Sequence, residues 1–348
     1  MNSSELVLAT NNGDIGGGEV MLFNIARAAR SLGHAVTIIA PSQPNEVVKA
    51  SQDEGFSTVI LPSTNRKQYI AQLRLWSATQ RRGRLLWCNG LVPSFATAGQ
   101  KNRIVHLHQI PEGTHRFVAR LARHKARALL APSDFAAQKL AGFQTFHNWV
   151  HPVERNVLQP LSNRPVRVGF LGRPSDFKGT QYLAQAIDIL NTGTPAGYQL
   201  VLGGESRFVE ESDTQELKAS LDNLGKALEK MGWVTPEEFF SHIDMLVVPS
   251  NWDEVFGLVA AESMSAKTPL IVSDAGALPE VVGETYPFIV ARADPQSLAQ
   301  IIAAVAEEIT QDSPLLENMI NLAYNRWHER FSPAAGKQRV ASLLEQLQ

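Results

Sequence analysis

A chain of 348 residues, at ~150 residues per domain, has room for two domains and is too long for a small stapled module. Its 44% hydrophobic and 19% charged residues suit two packed cores and exclude a disordered chain, and the single cysteine, Cys88, excludes an intrachain disulfide. The formal charge of -2 hides an asymmetry, because residues 1–160 carry 18 Lys and Arg against 9 Asp and Glu, whereas residues 161–348 carry 14 against 25.

In chain order, short apolar runs alternate with amphipathic segments. Leu6 to Thr10 predicts a strand, Glu19 to Leu32 a helix, and Ala35 to Ala40 and Thr58 to Leu61 two more strands. A helix over Tyr69 to Gln80 is followed by strands at Leu85 to Cys88, Ile104 to Leu107 and Ala128 to Ala131, with helical patterns at His115 to His124 and Asp134 to Ala141. Pro160, Asn163 and Pro165 break the stretch from Val153 to Val166 and mark a linker. A second series follows, with strands at Val166 to Leu171, Gln199 to Leu202, Met245 to Val248, Leu270 to Val272 and Pro287 to Val290. Its helical patterns are Thr180 to Leu190, Thr214 to Lys230, Gly257 to Ala266, Gln296 to Glu308 and Leu315 onward, broken near Ser332-Pro333. The alternation predicts two α/β, doubly wound Rossmann-like domains facing a cleft, 1–160 and 161–331, with a terminal helix over 332–348 crossing back to the first.

Three connections carry candidate chemistry. The first loop, Asn11 to Glu19, sets Gly16, Gly17 and Gly18 at a helix start, where bare backbone amides suit a phosphate or close approach to a ligand. It is neither a G-x-G-x-x-G fingerprint nor a P-loop. The loop Gly172 to Gly179 places Arg173 and Lys178 after a strand, where a guanidinium fork and a point charge can clamp a diphosphate. The third, Val248 to Asp274, runs strand, loop, helix and strand. Glu254 precedes Phe256-Gly257, and Glu262 follows eight residues later, about 12 Å at helical rise. Glu254 could accept sugar hydroxyls, the amides of Gly257, Leu258 and Val259 could meet a diphosphate, and Glu262 could hold a ribose diol.

These segments resemble the retaining family-4 glycosyltransferases of the GT-B fold. G-R-x4-K-G (Gly172 to Gly179), G-G-E (Gly203 to Glu205), G-W-V at Gly232, P-S-x-x-D-E-x-F-G-L-V-x-x-E (Pro249 to Glu262), Pro269 and A-G-A-L-P-E-V-V (Ala275 to Val282) occur in the family's order. The first half is similar through Gly16 to Glu19, Ala131 to Phe135 and a histidine at a strand end. The resemblance implies that Arg173 and Lys178 bind the nucleotide diphosphate, that Glu254 contacts the donor sugar and Glu262 the ribose, and that Gly16 to Gly18 line the reaction centre. It further implies a histidine beside the anomeric carbon, with His108 a better match than His106. Where the family often ends its first domain N-G-V-D, this chain has His147-Asn148-Trp149-Val150-His151.

The implied reaction moves a sugar from a nucleotide diphosphate-sugar donor to an acceptor hydroxyl with retention, in glycan, glycolipid or glycoconjugate synthesis. No cofactor or metal is expected, since protein cations and amides would stabilise the leaving group and no D-x-D sequence occurs. A sugar-nucleotide epimerase, a phosphorylase and a catalytically silent nucleotide-sugar-binding homologue stay open as alternatives. The basic first half predicts an anionic or lipid-linked acceptor, with a basic face formed by Arg116, Arg120, Arg123 and Arg127. It lacks the aromatic interleaving of a nucleic-acid binder. Without a signal-like N-terminus or a long apolar run, the expected location is cytoplasmic, with peripheral contact at the inner face of the membrane.

Overall fold

The computed structural model describes residues 5–156, 161, 164–192, 197–204 and 215–347. Two compact units result, one of Met1–Trp149 with Pro333–Gln348 and one of Val150–Ser332. The sequence-expected boundary at 160/161 falls in a stretch of which 157–160 and 162–163 lie outside the described residues, as do Glu205 and Thr214.

The first unit holds β1 (Glu5–Ala9), β2 (Ala35–Pro41), β3 (Ser57–Leu61), β4 (Leu85–Asn89), β5 (Arg103–His106), β6 (Ala128–Ala131) and β7 (Gln144–Thr145). They pair in parallel in the order β3-β2-β1-β4-β5-β6-β7. Helix Gly17–Ser31 and helix Arg66–Thr79 connect strands, and the second starts with the Asn65 side chain accepting from the Gln68 amide. Central strands are buried almost throughout, as two-sided coverage of a parallel sheet demands. Cys88 is fully buried on β4, against the Thr97 hydroxyl.

Helix Pro333–Gln346 also belongs to this unit and packs on Trp149, a residue buried to 1% exposure. The Trp149 carbonyl accepts from Asn24 Nδ2 at 3.0 Å, the Arg339 guanidinium lies 5.5 Å from the ring centroid, and a Cβ on Gly336 would fall 2.2 Å from the indole. The indole thus fills the space that the missing side chain of Gly336 leaves. Gly336→Ala is expected to lower stability by about 1–3 kcal/mol in urea titrations, because overpacking against a rigid ring outweighs the ~1 kcal/mol helix gain from removing glycine. A stabilised variant would show that the indole yields.

The second unit holds β8 (Val166–Leu171), β9 (Tyr198–Gly203), β10 (Leu228–Gly232), β11 (Met245–Val248), β12 (Leu270–Ser273) and β13 (Ile289–Val290), parallel in the order β10-β9-β8-β11-β12-β13. Alternation sorts its core into two clusters. Val201, Leu246, Leu270 and Val272 join Phe239, Phe256 and Phe331, while Leu200, Leu202, Met245, Val247 and Ile271 join Leu183, Ile187 and Ile302. The helix expected over Thr214 to Lys230 is shorter. It ends at Asn223, and after a tight turn at Gly225–Ala227 the chain becomes edge strand β10. Among the described residues no helix is long and apolar enough to cross a membrane.

Candidate functional site

In each sheet the chain reverses direction of build at one point, and ligands favour the strand C-terminal ends there. In the second unit β8 leads to β9 on one side, and β11 is paired on the other. The loops after β8 and β11 are therefore neighbours although far apart in sequence.

Those loops are Gly172 to Gly179 and Pro249 to Gly257. Lys178 Nζ lies 2.6 Å from Glu254 Oε1, which also accepts from Ser250 Oγ at 2.7 Å. Glycine at 179 is required: its φ is +68°, and a Cβ would sit 1.9 Å from the Pro249 carbonyl oxygen. The Asn251 and Trp252 amides close the same junction by donating to Phe177 O at 2.9 and 3.2 Å. Arg173, exposed at the end of β8, makes no hydrogen bond or ion pair among the described residues. Two of the four charged residues singled out on this unit, Lys178 and Glu254, are thus brought into direct contact.

The Glu254 backbone is fixed from behind. Its carbonyl accepts from the Ala277 amide at 2.8 Å, and at Gly276 (φ +62°) a Cβ would lie 2.4 Å from Glu254 O, which explains the A-G-A segment. Sequence reasoning missed Arg292. Its Nη1 is 3.0 Å from Asp253 Oδ1, its Nε 3.2 Å from Asp274 Oδ1, and its Nη2 donates to Asp274 O at 2.8 Å. One guanidinium thus ties the residue before Glu254 to the end of β12.

Helix Leu258–Ser265 begins at Gly257, whose φ of +90° makes it a left-handed cap. Glu254 lies ahead of this helix, so the helical spacing of about 12 Å from Glu254 to Glu262 does not apply. The amides of Gly257, Leu258 and Val259 have no hydrogen-bond partner among the described residues and form an unsatisfied first turn. Phe256 faces the core, 1% exposed and edge-to-face with Phe331 at 5.2 Å, so its ring offers a ligand nothing. Leu258 and Val259 likewise pack side chains on the core.

Glu262 is partly buried, and its carboxyl is pushed up to about 7, first by burial and then by the nearby Glu237. Between the ordinary value of 4.5 and about 7 the folded chain keeps a proton that the unfolded chain has lost, so stability falls as pH rises through that window. Glu262→Gln is expected to exceed the parent in stability by about 1–3 kcal/mol near pH 8, with no gain near pH 4, in urea titrations at both pH values. A gain equal at both pH values would refute the shifted carboxyl.

In the first unit the reversal lies at β1 and β4, and the loop after β1 carries the glycines. Gly16 and Gly17 are exposed, and none of Gly16, Gly17 and Gly18 has a positive φ, so local backbone conformation does not require glycine there. Glu19 lies in the first turn of the helix that follows. It is buried, takes a hydrogen bond from Thr10 Oγ1 at 3.2 Å, and burial pushes its carboxyl up to about 7. His106 ends β5 with no exposure, whereas His108, two residues on, is only half-buried and lies against Gly18, whose Cβ would be 3.5 Å from His108 Cδ2. This separates the two candidates: His108 is beside the glycine loop, His106 is within the core. His108 Nε2 lies 2.8 Å from Asn89 Oδ1, Nδ1 is buried without a partner among the described residues, and burial lowers the imidazole to about 4.

The expected four-arginine face is corrected. Helix His115–Ala122 presents Arg116 and Arg120 to solvent beside Phe117 and Leu121, which are 65% and 42% exposed. Arg123 instead caps the helix and donates to Ala141 O at 2.8 Å, and Arg127 lies beyond it, donating to Asn102 Oδ1 at 3.1 Å.

Comparison with known proteins agrees with this architecture. The family profile for glycosyl transferases group 1 matches residues 165–308, and that for glycosyltransferase family 4 matches residues 15–161. The D-inositol 3-phosphate glycosyltransferase of Corynebacterium efficiens is 31% identical over 51% of this chain and 42% of its own length. The MMP alpha-(1->4)-mannosyltransferase of Mycolicibacterium hassiacum is 28% identical over 47% and 41%. The matched segments therefore span less than half of these curated relatives. Among solved structures, Anabaena Alr3699/HepE in complex with UDP superposes with a TM-score of 0.82 at 19% identity, covering 98% of this chain and all of that one. The sucrose-phosphate synthase of Thermosynechococcus elongatus gives 0.80 at 18%, covering 99% of each chain. With two parallel, doubly wound sheets and both family profiles matched in order, the chain belongs to the family-4 glycosyltransferases of the GT-B fold.

Proposed function

We propose that this glycosyltransferase moves a sugar from a nucleotide diphosphate-sugar to an acceptor hydroxyl with retention of configuration and without a metal ion. The observation that carries the reading is the second unit's grouping of a cation, a carboxylate and three amides unsatisfied among the described residues at one sheet reversal. Lys178, Arg173 and the amides of Gly257 to Val259 would hold the diphosphate and stabilise it as it leaves. Glu254 would bind the sugar and Glu262 the ribose diol. On the first unit the glycine loop would line the reacting sugar with backbone, and His108 would support that loop. The solved complexes of Alr3699/HepE with UDP and with UDP-glucose support a nucleotide-sugar donor. Binding to the folded state raises apparent stability by mass action. A melting panel of UDP, GDP, ADP and their sugar conjugates, run with and without chelator, is therefore expected to show at least one stabiliser that chelator does not abolish. If no nucleotide raised the melting temperature, the donor reading would fail, and if only divalent cation restored it, the metal-free part would.

The first unit's exposed Arg116, Arg120, Phe117 and Leu121 support an anionic acceptor surface, with a lipid bilayer bearing the acceptor as the favoured form. At about 1 kcal/mol per cation near anionic lipid, Arg116→Gln with Arg120→Gln is expected to reduce partition onto anionic vesicles roughly 30-fold at low salt. Equal sedimentation with neutral and anionic vesicles would remove the lipid form.

A further inference from the structure

The first unit contains two orphaned polar atoms on neighbouring rings. Among the described residues His106 Nε2 and His108 Nδ1 are both buried without a partner, and the ring centroids are 4.1 Å apart. The partners of the other two ring nitrogens fix where each proton sits. Trp87 Nε1 can only donate, and it points to His106 Nδ1 at 3.4 Å, so that nitrogen is the acceptor and the proton is on Nε2. Asn89 Nδ2 donates to the Gly18 carbonyl at 2.8 Å, which fixes the orientation of the amide and leaves Asn89 Oδ1 as the acceptor for His108 Nε2–H at 2.8 Å. His108 Nδ1 is then a lone pair. The two orphans are complementary, one an N–H lacking an acceptor and the other an acceptor lacking a donor.

We infer that Trp87 fixes His106, and Asn89 fixes His108, each as the Nε2–H tautomer, with Asn89 joining the His108 ring to the Gly18 carbonyl. Asn89 is thereby the positioning residue of the glycine loop. Reversing the Asn89 amide would set its Nδ2 against His108 Nε2–H and its Oδ1 against the Gly18 carbonyl, two mismatched pairs. The surroundings keep water out: Trp87, His106 and Asn89 have no exposure, and Phe146 lies edge-on to both the Trp87 ring at 5.4 Å and the His106 ring at 5.5 Å. Burial holds both imidazoles below their usual value, His106 further lowered by His108, so both rings stay neutral with their tautomers fixed across neutral pH.

This deepens the proposed function by naming what holds the glycine loop, yet its test needs no nucleotide. Long-range proton–nitrogen correlation on the full chain labelled with 15N-histidine is expected to show protonated Nε2 and bare Nδ1 at both positions, unchanged from pH 6 to 8. A protonated Nδ1 at either histidine, or averaged signals, would overturn these assignments. In Asn89→Ala, His108 is expected to lose its fixed tautomer, and amide exchange in the glycine loop to quicken roughly tenfold. Asn89→Asp keeps the shape and the acceptor but not the donor to Gly18. It should therefore retain the His108 Nε2–H signal while the loop still exchanges faster, and it serves if the alanine variant does not fold. An unchanged tautomer in Asn89→Ala, or unchanged loop exchange in both variants, would refute the role of Asn89. Donor binding can fail in the melting panel while these signals stand, and the reverse holds equally.

Discussion

Glu254→Gln is expected to lower turnover by roughly 100-fold while leaving affinity for a bare nucleoside diphosphate intact or slightly raised. The carboxylate sits at the sheet reversal with its backbone held by Ala277 and its Oε1 shared by Lys178 and Ser250. In the proposed reaction it meets the sugar, which a bare diphosphate lacks, so its charge matters to the transition state rather than to the nucleotide. Removing the charge also frees Lys178 from its partner, and the ammonium can then be spent wholly on phosphate. Glu262→Ala should do the opposite, weakening nucleotide binding more than turnover. Steady-state kinetics with calorimetry separates the two, and equal losses of nucleotide affinity in both variants would show that sugar and ribose are misplaced along this segment.

Lys178→Ala is expected to weaken nucleoside diphosphate binding by about 1.5–3 kcal/mol, the worth of a hydrogen bond to a charged group. Half of its side-chain surface is open, 46% against 16% for Glu254, so the ammonium can reach a second anion without leaving the first. The ion pair by itself contributes little to folding at that exposure, and the melting temperature without nucleotide should barely move. Arg173→Ala should weaken the same binding, since Arg173 has no partner among the described residues to satisfy it. Unchanged calorimetric affinity in both variants would remove the cationic loop from the site.

The longer elements were legible because burial imposes period. The alternation within Val166–Leu171 and Met245–Val248 reappears as two distinct core clusters. Leu228–Gly232 was not legible: Leu-Glu-Lys-Met-Gly has no β-branched residue and lies at a sheet edge, where one-sided pairing leaves little pattern. Short helices such as Pro236–Phe240 and Leu278–Val282 span barely more than one turn, too little for a 3.6-residue period to show. At the candidate site, residue types and order could be read, but contact could not. Lys178 meets Glu254 only because β8 and β11 are neighbours, a property of strand order. The histidines illustrate the same limit. Strand alternation gives His106 and His108 one direction, yet β5 stops at His106, and the step beyond it takes His108 out of the core. Asn89 carried a faint signal, a polar residue closing a buried strand just before glycine, which reads as an ordinary turn.

The seating of Gly336 against Trp149 bears on how the chain comes to be folded. The first sheet is written early in the sequence, but helix Pro333–Gln346, which covers Trp149, is written only after the whole of the second unit. On the ribosome the first unit must therefore wait, with an indole and its surrounding apolar surface uncovered, while some 180 further residues are made. The second unit is continuous and can complete its fold in the meantime. Closing so long a loop costs little more than closing a short one, since the entropy grows only with the logarithm of its length. The delay is a matter of time rather than of final stability, and it makes the half-made first unit the species most exposed to aggregation.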